Sequence, residues 1–210
     1  MSVFVEGRKP QPPWTDGLYR EFGALIAGFH KAGDGFRTRR PRRPFDLRTT
    51  LEEPLQSVLP RLMNRPADQK LVADLGDDAR RQITDLAEQG LSWGVRHGDA
   101  SMDNLHLTDS GMVLHDFDLA GMGWRAADLT GVFTGPRSSL HWEAFLAGYT
   151  AVADLTPADL RAVPWLAVTG LISNLAFLLV EGPSFRGTEA LDGSLFEREL
   201  NSLRSLAATS

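Results

Sequence analysis

The sequence predicts an α-rich α+β fold, and three observations carry that expectation. Apolar residues recur at helical spacing over most of the chain, strand-type alternation is confined to a short stretch, and that stretch is interrupted by hairpin turn chemistry. With 210 residues, 42% hydrophobic and 23% charged, there is enough apolar chain for one full core. A formal net charge of −5 argues against a nucleic-acid binder, which needs a basic surface. The lack of cysteine removes disulfides, zinc-thiolate sites and thiol nucleophiles together. No basic segment followed by an apolar core and a cleavage site opens the chain, so a cytoplasmic protein is expected.

Val3-Phe4-Val5-Glu6-Gly7 predicts a short strand, and Pro10, Pro12 and Pro13 predict an extended linker after it. This divides residues 1–13 from a single domain over 14–210. From Leu18, the residues Phe22, Leu25, Ile26 and Phe29 fall on one helical face, with Thr15 or Asp16 as cap and Gly33 and Gly35 at the end. Residues 37–44 hold Arg37, Arg39, Arg40, Arg42 and Arg43 with two prolines, an irregular loop. That loop is either plain solvated surface or a patch that docks an anion or a partner.

Thr50-Leu51-Glu52-Glu53 has the pattern of a capping box opening a helix through Leu55, Leu59 and Leu62, shortened or kinked by Pro54 and Pro60. Leu71, Leu75, Ile83 and Leu86 mark a further helix, with Gly90 where a left-handed cap belongs. Residues 93–117 are the β region. Asn104-Leu105-His106-Leu107 and Met112-Val113-Leu114-His115 flank the turn Thr108-Asp109-Ser110-Gly111. After Trp124 the chain is helical again, and Thr156-Pro157-Ala158-Asp159 is a strong helix start. The uncharged residues 162–180 include Pro164, Thr169, Gly170, Ser173 and Asn174, which predicts a buried core helix rather than a membrane span. A last amphipathic segment carries Leu195, Phe196, Leu200, Leu203 and Leu206.

Chemistry concentrates in the β region. His97-Gly98-Asp99 is followed by Asn104 and then by Asp116-Phe117-Asp118, with both clusters at the base of the hairpin. Four fixed letters at this spacing arise by chance on the order of once in a thousand such chains, so the pattern is informative. An aspartate ahead of an asparagine lets a carboxylate meet a substrate hydroxyl while the amide faces a cation. Folding the hairpin back brings Asn104 near Asp116 and gathers Asp99, Asp116 and Asp118. Two such charges about 4 Å apart repel by roughly 4 kcal/mol at an effective dielectric of 20, and a hard divalent cation, Mg²⁺ rather than zinc, removes the penalty. Asn104 and Asp116 are then its ligands, and Asp99 is left to orient a hydroxyl or accept its proton. His106 and His115 alternate along the strands, which favours exposure over ligation, and Asp109 is most simply a turn residue.

These residues resemble the signature of the aminoglycoside phosphotransferase and choline kinase-like enzymes, small-molecule relatives of the protein kinases. The likeness runs through His97-Gly98-Asp99 with Asn104, Leu114-His115-Asp116-Phe117-Asp118, and Asp128-Leu129. It implies a kinase-like phosphotransferase that moves the ATP γ-phosphoryl group to the hydroxyl of a small molecule or of a Ser/Thr peptide. Asp99 would be the catalytic base, Asn104 and Asp116 the Mg²⁺ ligands, and Asp118 an accessory ligand. His97 and Asp128 would brace the catalytic loop, and Val5 and Glu6 would belong to the hinge strand that meets the nucleotide. The likeness covers the carboxy-terminal lobe of that fold. The preceding β-rich lobe would bring a Gly-x-Gly-x-x-Gly loop and a strand lysine, whereas here the lysines are Lys9, Lys31 and Lys70 and no such loop occurs. A protein partner supplying or covering that lobe is therefore expected, and a non-catalytic kinase-like subunit or scaffold is the rival function. A metal-dependent phosphoesterase is a third and weaker one, because no His-x-His pair is present.

Overall fold

A computed structural model describes residues 6–135, 138–180 and 193–208. The chain divides into two compact units, Met1–Arg43 with Ser92–Leu160, and Pro44–Leu91 with Arg161–Ser210. Val5, with the rest of residues 1–5, lies outside the described residues.

The first unit is built around α1 (Asp16–Ala32), whose N-cap is Thr15: its Oγ1 accepts from the Leu18 N–H at 3.2 Å. Tyr19, Phe22, Ile26 and His30 form its buried stripe. Strand β1 (Trp93–Arg96) pairs antiparallel with β4 (Gly121–Trp124), setting Arg96 opposite Gly121. Between them β2 (Leu105–Thr108) and β3 (Gly111–Leu114) form the hairpin, with Leu105 opposite Leu114. Strand β4 is an addition to the β region read from the sequence. Gly121-Met122-Gly123-Trp124 has weak strand preference, and the pairing with β1, not the local residues, makes it a strand. The segment before α1 joins the outer end of the hairpin, where the Arg8 and Leu107 backbones exchange hydrogen bonds of 3.0 and 2.8 Å. After α4 (Thr130–Thr134) the chain returns as α5 (Trp142–Thr150), which packs along α1.

That packing is unusually close because two glycines face each other's helix. A Cβ on Gly23 would stand 2.0 Å from the Phe145 carbonyl oxygen, and one on Gly148 would stand 1.9 Å from the Arg20 carbonyl oxygen. Neither obstacle is a side chain that could rotate away. Gly148→Ala is therefore expected to cost about 2–3 kcal/mol by forcing the helices apart, read as a lower urea midpoint with an unchanged slope. A midpoint equal to wild type would mean that the helices have slack at this crossing.

In the second unit, a π-helical turn (Arg48–Glu52) leads into α2 (Glu53–Val58), followed by α3 (Pro66–Glu88), by α6 (Pro157–Val180) from Arg161 onward, and by α7 (Gly193–Ala207). The capping box read at 50–53 is not used. Asp46 takes the capping role instead: its Oδ1 accepts from the Thr49 N–H at 3.0 Å and its carbonyl accepts from the Thr50 hydroxyl at 2.8 Å. Thr50 is thus already inside helical backbone. Helix α3 starts upstream of Leu71, the first residue that marks it in the sequence, with Pro66 in its first turn. Gly90, just beyond α3, has φ +94°. Helix α6 is long and apolar enough to cross a membrane by length and composition, yet Ala162, Val163, Leu166, Ile172 and Leu175 are buried, and the Ser173 hydroxyl donates to the Thr50 carbonyl at 2.8 Å. Its start is a reciprocal cap: the Asp159 N–H donates to Thr156 Oγ1 at 3.0 Å and the Thr156 N–H donates to Asp159 Oδ2 at 2.9 Å.

Candidate functional site

The site lies in the first unit, on the loop after β1 and the loop after β3. Their geometry depends on one buried carboxylate. Asp128 is 3% exposed, and it accepts the His97 N–H at 2.6 Å and the Gly98 N–H at 2.8 Å. The same carboxylate accepts His30 Nε2–H at 3.0 Å, with the Arg96 guanidinium 4.0 Å away. Burial pushes its carboxyl up, but the His30 hydrogen bond, the Arg96 charge and the Gly98 N–H outweigh that and hold it below the usual carboxylate range. On the far side of His30, the Tyr149 hydroxyl donates to Nδ1 at 2.7 Å. Burial raises the Tyr149 hydroxyl well above its ordinary range, so it stays a donor. A chain of buried groups thus runs from α5 through α1 to the backbone of the loop after β1.

His97, fully buried, joins that loop to the hairpin. Its Nδ1 accepts from the Asp99 N–H at 3.3 Å, which leaves Nε2–H to donate to the His115 carbonyl at 3.0 Å. The ring packs edge-on against Phe117, centroids 5.0 Å apart, and both rings lie near Phe29. Gly98 turns the chain at φ +89°.

Asn104 is buried, and its side-chain Nδ2 donates to both the backbone carbonyl and Oδ2 of Asp99, each at 2.8 Å. Two acceptors face the amine, so the amide oxygen is turned the other way. The Asn104 carbonyl accepts from the His115 N–H at 3.0 Å, bringing Asn104 to the residue just before Asp116. Asp116 has φ +63°, a left-handed conformation that costs a non-glycine residue about 1 kcal/mol or more and clusters at functional sites. Asp99, Asp116 and Asp118 are all exposed. Among the described residues no group of three or more His, Asp or Glu side chains is positioned to hold a metal ion. What the hairpin brings together is Asp99, Asn104 and the backbone leading into Asp116. Glu6 is exposed on the segment beside β2.

His106 and His115 stand side by side, centroids 4.6 Å apart, and both are half-buried. Burial and the neighbouring His106 lower the His115 pKa. Within this unit a cavity of about 260 Å³ is lined by Lys31, Asp34, Arg125, Tyr149, Asp154 and Asp159 among others. None of Asp99, Asn104 or Asp116 lines it, so it is no extension of the site.

Three contributors were not assigned to the site from the sequence: His30, Tyr149 and Arg42, whose guanidinium donates to the Asp118 and Ala120 carbonyls at 2.7 and 3.1 Å. His30 left a trace, as a polar residue in register with Phe22 and Ile26 on a buried helical face, and Arg42 was visible only as one of the arginines of its loop.

A model of the phosphotransferase enzyme family matches residues 3–166. An uncharacterized protein of Deinococcus radiodurans is 35% identical over 215 residues, covering 97% of this chain and 60% of its own length. A homoserine kinase of Phenylobacterium zucineum is 31% identical over 177 residues, covering 78% and 51%. The chain therefore spans between about half and three-fifths of these curated relatives. Among solved structures, an amicoumacin kinase in complex with AMP-PNP and Ca²⁺ superposes with a TM-score of 0.72 at 20% identity, over 96% of this chain and 63% of that one. At that identity the likeness is one of fold: mostly helical, kinase-like, with a small hairpin between the two site loops.

Proposed function

Because this chain belongs to the phosphotransferase enzyme family, we propose that it moves the γ-phosphoryl group of ATP to a hydroxyl acceptor, with Asp99 as the base that meets the hydroxyl. The observation that carries this reading is the Asn104 amide, which ties down one Asp99 carboxylate oxygen and the Asp99 carbonyl together. The exposed carboxylate then has a fixed direction and one oxygen left for an incoming O–H. In the transfer, the acceptor oxygen bonds to the γ-phosphorus, the bond from that phosphorus to the β–γ bridging oxygen breaks, ADP leaves, and the hydroxyl proton passes to Asp99.

The donor set suits Mg²⁺: the Asn104 amide oxygen and the Asp116 carboxylate, with Asp118 as an accessory ligand, are hard oxygens. One or two carboxylates are what Mg²⁺ takes when phosphate and water fill its other positions. Bound there, the cation would offset the phosphate charge. His97 and Asp128 act through the loop backbone, not on substrate. The nucleotide's remaining contacts, for which Val5 and Glu6 would supply only the hinge edge, call for a phosphate-covering loop and a lysine. Lys70 pairs with Asp74 at 2.7 Å and Lys9 with Asp103 at 3.5 Å, so neither is offered for that role. We infer that residues 14–210 act as the carboxy-terminal lobe of a kinase-like fold, and that another polypeptide segment, in the same protein or in a partner chain, closes over the nucleotide.

The test is phosphate transfer from γ-labelled ATP with Mg²⁺, using amino alcohols, homoserine first, as acceptors. Asp99→Asn is expected to lower the rate about a hundredfold or more while leaving nucleotide affinity within about twofold. An unchanged rate would remove Asp99 from the chemistry. No transfer by the wild-type chain, even when co-expressed with its genomic neighbours, would favour the non-catalytic subunit.

A further inference from the structure

The arginine-rich loop has no part in the reaction proposed above, yet one of its side chains reaches the site. The turn that carries Asp116 and Asp118 is fixed at both ends by strand pairing: Leu105 opposite Leu114 before it, Arg96 opposite Gly121 after it. Between these, residues 116–120 leave regular structure. Asp116 is left-handed, the Ala120 N–H donates to the Phe117 carbonyl at 3.0 Å, and the Asp118 and Ala120 carbonyls accept from outside the turn. Both are taken by a single nitrogen of Arg42, at 2.7 and 3.1 Å, from 76 and 78 residues away in sequence.

We propose that Arg42 is a positioning residue that latches the Asp116–Asp118 turn in the conformation that presents its carboxylates to a divalent cation. This rests on the phosphotransfer reading for the cation, but not for the latch. An arginine suits the task because its planar fork keeps full charge at any working pH and serves two carbonyls without moving. It also sits at the surface, so its loss should loosen the turn without opening the core. Groups that orient ligands from behind typically govern metal affinity by tenfold or more. Arg37 of the same loop, by contrast, donates to the Phe36 carbonyl beside it at 3.0 Å.

The experiment compares wild type, Arg42→Ala, Arg42→Lys and Arg37→Ala by amide hydrogen exchange over residues 115–121, Mn²⁺ binding followed by its paramagnetic resonance signal, and thermal unfolding. Arg42→Ala should speed exchange at Ala120 and weaken Mn²⁺ binding about tenfold with the melting temperature unchanged. Arg42→Lys should recover part of both losses, and Arg37→Ala should match wild type. Unaltered exchange in Arg42→Ala overturns the latch, and faster exchange with unaltered Mn²⁺ affinity overturns its positioning role. A wild-type chain that binds no Mn²⁺ overturns the metal assignment on which the proposed function rests. That failure is distinguishable, because the exchange comparison still reads the latch.

Discussion

Asp128→Asn is expected to destabilise the protein by about 3–5 kcal/mol, the cost typical of removing one member of a buried charged network. The carboxylate takes two backbone N–H groups and the His30 Nε2–H, and it faces the Arg96 guanidinium. Every one of these neighbours is a donor. An asparagine keeps the shape but replaces one acceptor oxygen with an NH₂ group, so a donor meets a donor at a position buried from solvent. A loss of this size is a large part of the 5–15 kcal/mol that holds an ordinary domain together. Chemical unfolding followed by tryptophan fluorescence reads it directly. The pH dependence supplies an independent check. The folded-state carboxyl titrates below the ordinary value of about 3.9, so the folded chain binds fewer protons in acid than the unfolded one. Its contribution is complete above the unfolded value and is lost as pH falls through the folded one. Wild type should therefore lose stability below about pH 4, and Asp128→Asn should show a shallower acid limb. Parallel acid limbs would mean that the carboxylate is not charged in the folded protein.

What the sequence made legible and what it hid follow from the range of the interactions involved. Thr15, the stripe through Phe22 and Ile26, the hairpin turn and the cap at Thr156 depend on residues within about four positions of one another, and each stands where local rules put it. The box at Thr50 failed for a reason of the same kind: Asp46 competes for the same role and captures Thr49 and Thr50 from upstream. Strand β4 was hidden because its partner β1 is far away in sequence and its own glycines carry little signal. At the site, the spacing marked Asp99 and Asn104 as a pair of interest, but the hydrogen bonds that the short loop closes between them were not part of that reading. The mutual approach of Asp99, Asp116 and Asp118 could not be read in the same way. It depends on how the turn after β3 is aimed, and that turn answers to His97, Arg42 and the unusual backbone of Asp116. The supporting residues His30 and Tyr149 lie 98 positions before and 21 positions after the carboxylate they serve. No local pattern encodes that relation.

Gly98→Ala is expected to remove phosphate transfer and to cost about 3 kcal/mol of stability, and a second glycine separates the causes. Two penalties add at Gly98. Its φ of +89° is a conformation that residues with a Cβ adopt at a cost of about 1–3 kcal/mol. In addition, the new Cβ would stand 2.3 Å from the Leu119 carbonyl oxygen and 3.0 Å from the Leu119 Cβ. Backbone cannot rotate aside, so the loop bearing Asp99 and the turn bearing Asp116 must separate. A displacement of about 1 Å between reacting groups is enough to slow a reaction roughly a hundredfold, and here the displacement falls between the residue proposed to meet the hydroxyl and those proposed to hold the cation. Gly90→Ala provides the control. Gly90 has a similar φ, +94°, but nothing lies within 4 Å of the added Cβ, so it carries the conformational penalty alone and should leave turnover at the wild-type level. Urea unfolding and phosphate transfer, measured on both variants, give the clash as a difference. If Gly98→Ala were no worse than Gly90→Ala in either measurement, the two loops would have room to spare, and the close approach between them would have no bearing on the chemistry.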